Sequence, residues 1–217
     1  MRNRFDEQLT LLNRKMIEMG ALCEKAISLA SMALLEGDVS KAEEVLPYGR
    51  QIDHMEREIE SVCLKLLLHQ QPVAGDLRQI SAALKMITDM ERIGDQAEDI
   101  AEIITFLNGR TGEECEDIRR MAEATMKMVS ESVDAYVRKD ISLAEKVEAY
   151  DDVVDDCFDK VKHTLIQMLS ENIADGEYVL DLLMIAKYFE RIGDHAVNVA
   201  EWVEFSVTGL HKGEEEL

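Results

Sequence analysis

The 217-residue sequence is 47% hydrophobic, which suffices for one or two domains with a packed core. Its formal net charge of -21 repels nucleic acids and anionic lipid surfaces, and it favours metal cations or a basic protein surface as partners. The N-terminus lacks a signal-peptide core, no apolar run approaches the roughly 20 residues that span a bilayer, and the cysteines are widely spaced, so the sequence predicts a cytoplasmic protein with reduced thiols.

The composition favours an all-α fold, because the chain has only two prolines and many strong helix formers. The first predicted helix covers residues 4–35 and ends at "EGD". The second begins within "GDVSKAEEV", where Asp38 is one candidate N-cap and Ser40, with Glu43 three residues later, is the other. Pro47 is expected to break or kink the start of this helix, which then continues through "QIDHMEREIESVCLKLLLH".

The same order of landmarks then repeats. After "QQPVAGD" the third predicted helix covers residues 76–107, and the fourth covers residues 114–137. "KDISLAEKV" reproduces "GDVSKAEEV", including the spacing of Ser142 and Glu145, and the fifth helix extends to Leu169. "NIADGE" stands where "QPVAGD" stood, and the sixth helix ends at "VTG".

Three helices in each of two copies predict an all-α protein of two tandem, pseudo-symmetric three-helix bundles with six long helices. The predicted division places the first three-helix repeat in residues 1–110 and the second in residues 111–217. The pattern leaves open whether the bundles pack side by side or end to end.

The third predicted helix changes character halfway along one of its faces. At about 100° per residue, one line along the helix carries apolar side chains first and carboxylates afterwards. This line reads Leu77, Ile80, Leu84, Ile87, then Glu91, Asp95, Glu98 and Glu102. The sixth helix repeats the change in "ERIGDHAVNVAE", where the line reads Val179, Leu183, Ala186, then Glu190, Asp194, Val197 and Glu201. Carboxylates one turn apart repel one another, and against a neighbouring helix they must be neutralised.

Two kinds of cation could neutralise these carboxylates. Arg92 and Arg191 are close in sequence, but each points about 100° away from the acidic line. A bound metal ion is the alternative, since carboxylates at i and i+4 can hold one ion or bridge two. Oxygen ligands select hard cations. The candidate cations are Fe, Mn, Mg, Zn and Ca, and the pattern does not choose among them.

The helices that face the acidic lines supply further carboxylates. Asp151 and Asp155 have i, i+4 spacing in "YDDVVDD" of the fifth helix. In the second helix Asp53 aligns with Asp155, whereas Gly49 stands where Asp151 would be, so the two repeats are unequal. The candidate metal ligands are Asp53, Glu91, Asp95, Glu98, Glu102, Asp151, Asp155, Glu190, Asp194 and Glu201.

Both copies of the motif contain a glycine, although glycine inside a helix costs about 1 kcal/mol relative to alanine. Gly94 and Gly193 therefore predict a close approach by another backbone or by a ligand. His195 follows Asp194 directly but points about 100° away from it, so it is not predicted as a ligand. An isolated row of carboxylates would indicate a solvated helix border, but duplication of the row on an apolar line favours a metal site.

The two "ERIGD" motifs, together with "QQPVAGDLR" and "GDVSKAEEV", resemble the E(D)xxxD signatures and flanking segments of the phosphate-uptake regulator (PhoU) family. The resemblance covers nearly the whole chain. The family signature falls on Glu91, Asp95, Glu190 and Asp194. The family's second-helix aspartate pair falls on Asp151 and Asp155 but only on Asp53 in the first half, where Gly49 departs from the pattern.

The resemblance implies two three-helix bundles with a pseudo-twofold relation, multinuclear metal sites on the signature faces and a homodimer. It also implies a cytoplasmic, non-enzymatic protein that works beside the phosphate ABC transporter and a sensor histidine kinase. Such regulators damp phosphate uptake and the phosphate-starvation response.

Two other functions fit parts of the pattern. A carboxylate-bridged di-metal oxidase would need Glu-x-x-His on two helices, whereas this sequence has Glu-x-x-x-Asp. A metal-free acidic scaffold would use the carboxylates to bind a basic partner. No catalytic or cofactor-binding residue is predicted, because the sequence contains neither a GxxxxGK[ST] phosphate loop nor a recognisable nucleophilic triad.

Overall fold

The computed structural model describes residues 2–69, 73–112, 116–172 and 174–210, and within these ranges the chain forms helices and no strands. The helices are α1 (Arg2–Glu36), α2 (Val39–Glu43), α3 (Leu46–His69), α4 (Ala74–Phe106), α5 (Glu116–Arg138), α6 (Ile141–Ser170) and α7 (Gly176–Thr208). The predicted all-α fold with six long helices is therefore confirmed, and α2 is an additional short helix. None of the described helices is long and apolar enough to cross a membrane.

The second predicted helix is divided into α2 and α3, and Pro47 accounts for the division. A proline ring inside a continuous helix clashes with the carbonyl of the residue four positions earlier, whereas near a helix start its missing N–H costs little. Pro47 accordingly lies in the first turn of α3, which begins at Leu46. The corresponding residue in the second half is Ala149, and α6 is unbroken there.

The two candidate N-caps are resolved in favour of the aspartate. The Asp38 carboxylate accepts hydrogen bonds from the backbone N–H groups of Ser40 and Lys41. In the second half the Asp140 carboxylate accepts one from the N–H of Leu143. Asp38 and Asp140 thus start α2 and α6, and the expected capping boxes of Ser40 with Glu43 and of Ser142 with Glu145 do not form the caps.

A single apolar core runs through both halves, with α4 and α7 packed against each other at its centre. Helix α4 also packs against α1 and α3, and α7 packs against α5 and α6. On the apolar part of the acidic line, Ile80 and Ile87 are buried, whereas Leu77 near the helix start is exposed. Because the core is continuous, the division into residues 1–110 and 111–217 stays a prediction about the repeat.

The thiols agree with the expectation of reduced, buried cysteines. Cys23, Cys63 and Cys157 are free and buried. Burial raises the pKa of the Cys23 and Cys63 thiols to about 12. Cys115 lies outside the residues that the structure describes.

Candidate metal centre

Three of the predicted carboxylates converge between α3 and α4. Asp53 from α3 meets Glu91 and Asp95 from α4, each half-buried, with one ligand atom of each within 4.8 Å of the others. Among the residues described, this is the one such group of potential metal ligands. The i, i+4 spacing turns both α4 carboxylates towards α3, as the helical period requires.

Gly94 allows this close packing of α3 and α4. A Cβ atom at Gly94 would lie 2.9 Å from Cδ1 of Ile52, the neighbour of Asp53 on α3. In the second half, a Cβ atom at Gly193 would lie 2.9 Å from Oδ1 of Asp151. Each glycine is thus approached closely, as predicted, but by a side chain of the facing helix and not by its backbone.

At Gly49, where the second half has an aspartate, the missing carboxylate is supplied by the facing helix. A Cβ atom built on Gly49 would overlap the carboxylate of Glu98. Glu98 of α4 therefore occupies the space where an aspartate on α3 would begin. In the second half the relation is reversed, because Asp151 is on α6 and Val197 replaces Glu98 on α7. Each half places one carboxylate at this position, from different helices.

We call Asp53, Glu91, Asp95 and Glu98 the first cluster. Burial is the main cause that raises the pKa of Glu91 and Glu98, with a further contribution from neighbouring carboxylates. Arg92 partly offsets this charge, since its Nη1 lies 3.2 Å from Oδ2 of Asp95 and its Nε 3.5 Å from Oε2 of Glu91. The backbone direction of Arg92 is off the acidic line, but its long side chain reaches back to it.

The sequence prediction missed Glu56, which belongs to the surroundings of the first cluster. Its pKa is raised mainly by burial and further by Glu60 and Asp53. Glu56 follows Asp53 by three residues on α3 and therefore lies on the same helix face. The three-residue spacing from Asp53 could have identified Glu56 from the sequence. The second half has Phe158 at the corresponding position, so the repeat did not point to it.

We call Asp151 and Asp155 of α6 with Glu190 and Asp194 of α7 the second cluster. No three of these four described residues bring ligand atoms within 4.8 Å of one another, and Asp155 and Asp194 are exposed. Burial, followed by the charges of Asp155, Asp194 and Glu190, raises the pKa of Asp151 from 3.8 to about 6. Burial also raises the pKa of Asp155 and Asp194, each further raised by Glu190, whereas the Lys187 ammonium opposes the rise. Lys187 bonds both carboxylate oxygens of Glu190.

Two predicted ligands lie further along the acidic lines. Glu102 is exposed and lines a groove beside α2, together with Glu43 and Asp99. Glu201 is half-buried on α7 and is not part of the group that converges within 4.8 Å. Their assignment as ligands stays a prediction.

His195 joins the two halves instead of pointing into the second cluster. Its Nδ1 lies 2.9 Å from Oδ1 of Asp89 on α4, and the side-chain amide of Asn198 donates to the same oxygen at 3.0 Å. This contact agrees with the prediction from helical geometry that His195 turns away from Asp194.

The donor chemistry of both clusters fits a hard cation. Each cluster offers carboxylate oxygens from two facing helices, and Mg²⁺, Ca²⁺, Mn²⁺ and iron accept such ligands. Burial and repulsion between neighbouring carboxylates together raise the pKa of Glu98 in the first cluster and of Asp151 in the second. A bound cation would relieve both effects, since it supplies opposite charge where water is limited.

The raised pKa of Asp151 leads to a prediction about stability and pH. Because the folded protein binds this proton more tightly than the unfolded chain, the free energy of unfolding should rise as pH falls from 7 towards 5. We expect a gain of about 1 kcal/mol after solvent screening. Urea unfolding with a chelator at pH 7 and pH 5 measures it.

Asp151→Asn is the matched control for this pH effect. The variant should be more stable than the unsubstituted protein at pH 7 and should show a flatter pH profile. Equal slopes for the two proteins would contradict the assignment of the effect to Asp151.

The chain is similar to known proteins over nearly its whole length. The family model described as the PhoU domain matches this chain twice, over residues 16–104 and 118–203. A phosphate-specific transport system accessory protein PhoU homolog from Clostridium acetobutylicum is 36% identical over 207 residues, which are 94% of this chain and 94% of that relative.

Solved structures share the fold. The crystal structure of PhoU from Pseudomonas aeruginosa matches with a TM-score of 0.87 and 35% identity, over 95% of this chain and 100% of that one. The phosphate transport system regulatory protein PhoU from Streptococcus pneumoniae matches with a TM-score of 0.87 over 95% of this chain and 98% of that one. Because the Streptococcus pneumoniae protein is only 24% identical, its similarity supports the fold alone.

Proposed function

Because this chain belongs to the PhoU family, we propose that it is a cytoplasmic negative regulator of phosphate uptake and of phosphate-starvation signalling. The observation that carries the proposal is the family match in both halves, to relatives named as accessory proteins of phosphate-specific transport. The regulator acts through protein contacts, with the phosphate ABC transporter and a sensor histidine kinase as its partners, and has no turnover of its own.

The two acidic clusters are proposed as cation sites of this regulator. Asp53, Glu91 and Asp95 would hold a cation in the first half, with Glu98 beside them. A bound cation supplies positive charge that joins α3 to α4, and α6 to α7, through carboxylates that otherwise repel. The oxygen-only donor set favours Mg²⁺, Mn²⁺, Ca²⁺ or iron over Zn²⁺, which more often takes nitrogen or sulfur ligands.

The net charge supports a basic partner surface. A chain with a charge of -21 attracts basic protein surfaces over a screening length of about 8 Å at physiological ionic strength. Cation loading of the clusters would cancel part of this charge locally, so partner affinity should depend on loading. The protein is also proposed to form a homodimer, by analogy with the family.

Deletion of the gene tests the regulatory function. In phosphate-rich medium the deletion should raise the output of a phosphate-starvation reporter, because the brake on the response is lost. The unsubstituted gene should restore repression. Asp95→Asn combined with Asp194→Asn should restore it poorly, since each substitution removes one signature carboxylate.

A control variant keeps this test specific. Glu44→Gln with Glu145→Gln removes the same number of charges at two exposed positions, one in the turn after α2 and one in α6, and should restore repression fully. Unchanged reporter output on deletion would reject the regulator and favour the di-metal oxidase, which an oxygen-consumption assay would then examine.

A further inference from the structure

The second cluster already contains a cation, the ammonium of Lys187. Lys187 precedes Glu190 by one turn of α7 and bonds both of its carboxylate oxygens. The side chain of Glu190 is 16% exposed and that of Lys187 is 37% exposed, so the lysine reaches from the edge of the cluster to a carboxylate that is mostly shielded from water. The positive charge of Lys187 also opposes the rise in the pKa of Asp155 and Asp194.

The first cluster lacks this lysine. When the two "ERIGD" motifs are aligned, Thr88 of α4 corresponds to Lys187 of α7, and Thr88 is exposed. The facing helix also makes the first half more negative, because Glu56 of α3 corresponds to the uncharged Phe158 of α6. Lys187 lies 5.6 Å from the Phe158 ring. The first half therefore has an acid where the second half has Phe158, and a threonine where the second half has Lys187.

The arginine of the motif does not remove this difference. Arg92 contacts Asp95 and Glu91 from outside, and its side chain is 56% exposed. The aligned Arg191 lies 5.7 Å from the centre of the Tyr188 ring, and its charge opposes the rise in the pKa of Asp99 on α4. Arg92 can move into water at little cost, whereas Lys187 is less exposed, at 37%, and is bonded to both oxygens of a carboxylate that is only 16% exposed.

We propose that Lys187 is a built-in counter-ion of the second cluster and makes the two halves unequal in cation affinity. The first cluster loads a divalent cation directly. The second cluster loads one only when the Lys187 ammonium swings out of it. This inference rests on the cation sites of the proposed function and adds their order of loading and the residue that determines it.

The physical reason is competition for the same oxygens. A divalent cation at Glu190 needs the lone pairs that Lys187 occupies, and two cations at that distance repel one another. Displacing the ammonium also breaks its ion pair with a carboxylate that is largely removed from water. At the meeting point of Asp53, Glu91 and Asp95 the contacting cation is Arg92, which is more exposed than Lys187 and forms single contacts to two carboxylates.

A reciprocal exchange of the two aligned residues tests the proposal with Mn²⁺ as the probe. Lys187→Thr gives the second half the residue of the first, and Thr88→Lys does the reverse. Each is measured with the other cluster disabled, by Asp53→Asn/Asp95→Asn or by Asp155→Asn/Asp194→Asn. Lys187→Thr should tighten Mn²⁺ binding by the second cluster about tenfold, and Thr88→Lys should weaken binding by the first by a similar factor.

Thermal unfolding gives a readout that does not depend on regulatory activity. In chelator, Lys187→Thr should lower the melting temperature, because the four carboxylates lose their counter-ion, and Mn²⁺ should restore it. Lys187→Arg keeps the charge and should retain the weak Mn²⁺ binding. If Lys187→Thr fails to fold, Lys187→Gln replaces it, with helicity checked by circular dichroism.

The outcomes separate this inference from the cation sites themselves. If the two clusters of the parent protein bind Mn²⁺ equally and Lys187→Thr changes nothing, the role of Lys187 is overturned while the cation sites stand. If the parent protein binds no Mn²⁺ at millimolar concentration, both the cation sites and the role of Lys187 are overturned.

Discussion

Asp53→Asn combined with Asp95→Asn is expected to weaken cation binding by the first cluster about a hundredfold. The two substitutions leave Glu91 as the one charged member of the converging group. Amide oxygens keep the size of the side chains but carry no charge, so the loss is electrostatic. In chelator the same variant should be more stable than the parent protein by about 1 kcal/mol, because repulsion is relieved.

This variant is therefore expected to bind Mn²⁺ more weakly than the parent protein and yet to be more stable in chelator. Equilibrium dialysis with Mn²⁺, followed by elemental analysis, measures binding, and urea unfolding in chelator measures stability. Glu44→Gln with Glu145→Gln serves as the control, since these exposed carboxylates lie outside both clusters. Unaltered Mn²⁺ binding by the aspartate variant would exclude the first cluster as a cation site.

Much of this cluster could be predicted because helix geometry is regular. Carboxylates at i and i+4 share a face whatever surrounds them, so the pairing of Glu91 with Asp95 follows from the sequence. The repeat made it possible to predict a ligand on a second helix. Asp53 was predicted because it aligns with Asp155, and in the structure it lies beside Glu91 and Asp95. The six long helices follow from equally local rules, whereas the choice of Asp38 over Ser40 as N-cap, and the cap at Asp140, were settled only by the structure.

The remaining features depend on how far side chains reach between helices, which periodicity does not encode. Glu98 fills the space above Gly49 because a glutamate on α4 extends to α3, where the sequence suggested a vacancy. Lys187 lies off the acidic line, but its long side chain reaches Glu190 one turn further along α7 and so enters the second cluster. His195 finds Asp89 on a helix more than 100 residues away in sequence.

Gly94→Leu is expected to destabilise the protein by about 3 kcal/mol and to disperse the first cluster. Even a single Cβ atom there would lie 2.9 Å from Cδ1 and 3.3 Å from Cγ2 of Ile52, which is fully buried. A leucine must therefore push α3 away from α4. Asp53 is the next residue on α3 and would move with it, so Mn²⁺ binding should weaken although no carboxylate is changed.

Two further variants distinguish this steric effect from a general effect of leucine in α4. Gly75→Leu lies at the start of the same helix, where a Cβ atom meets nothing within 4 Å, and should change stability by less than about 1 kcal/mol. Ile52→Ala removes the side chain that obstructs the leucine, so Gly94→Leu with Ile52→Ala should recover Mn²⁺ binding in part. If Gly94→Leu binds Mn²⁺ as tightly as the parent protein, close contact between α3 and α4 is not what assembles the first cluster.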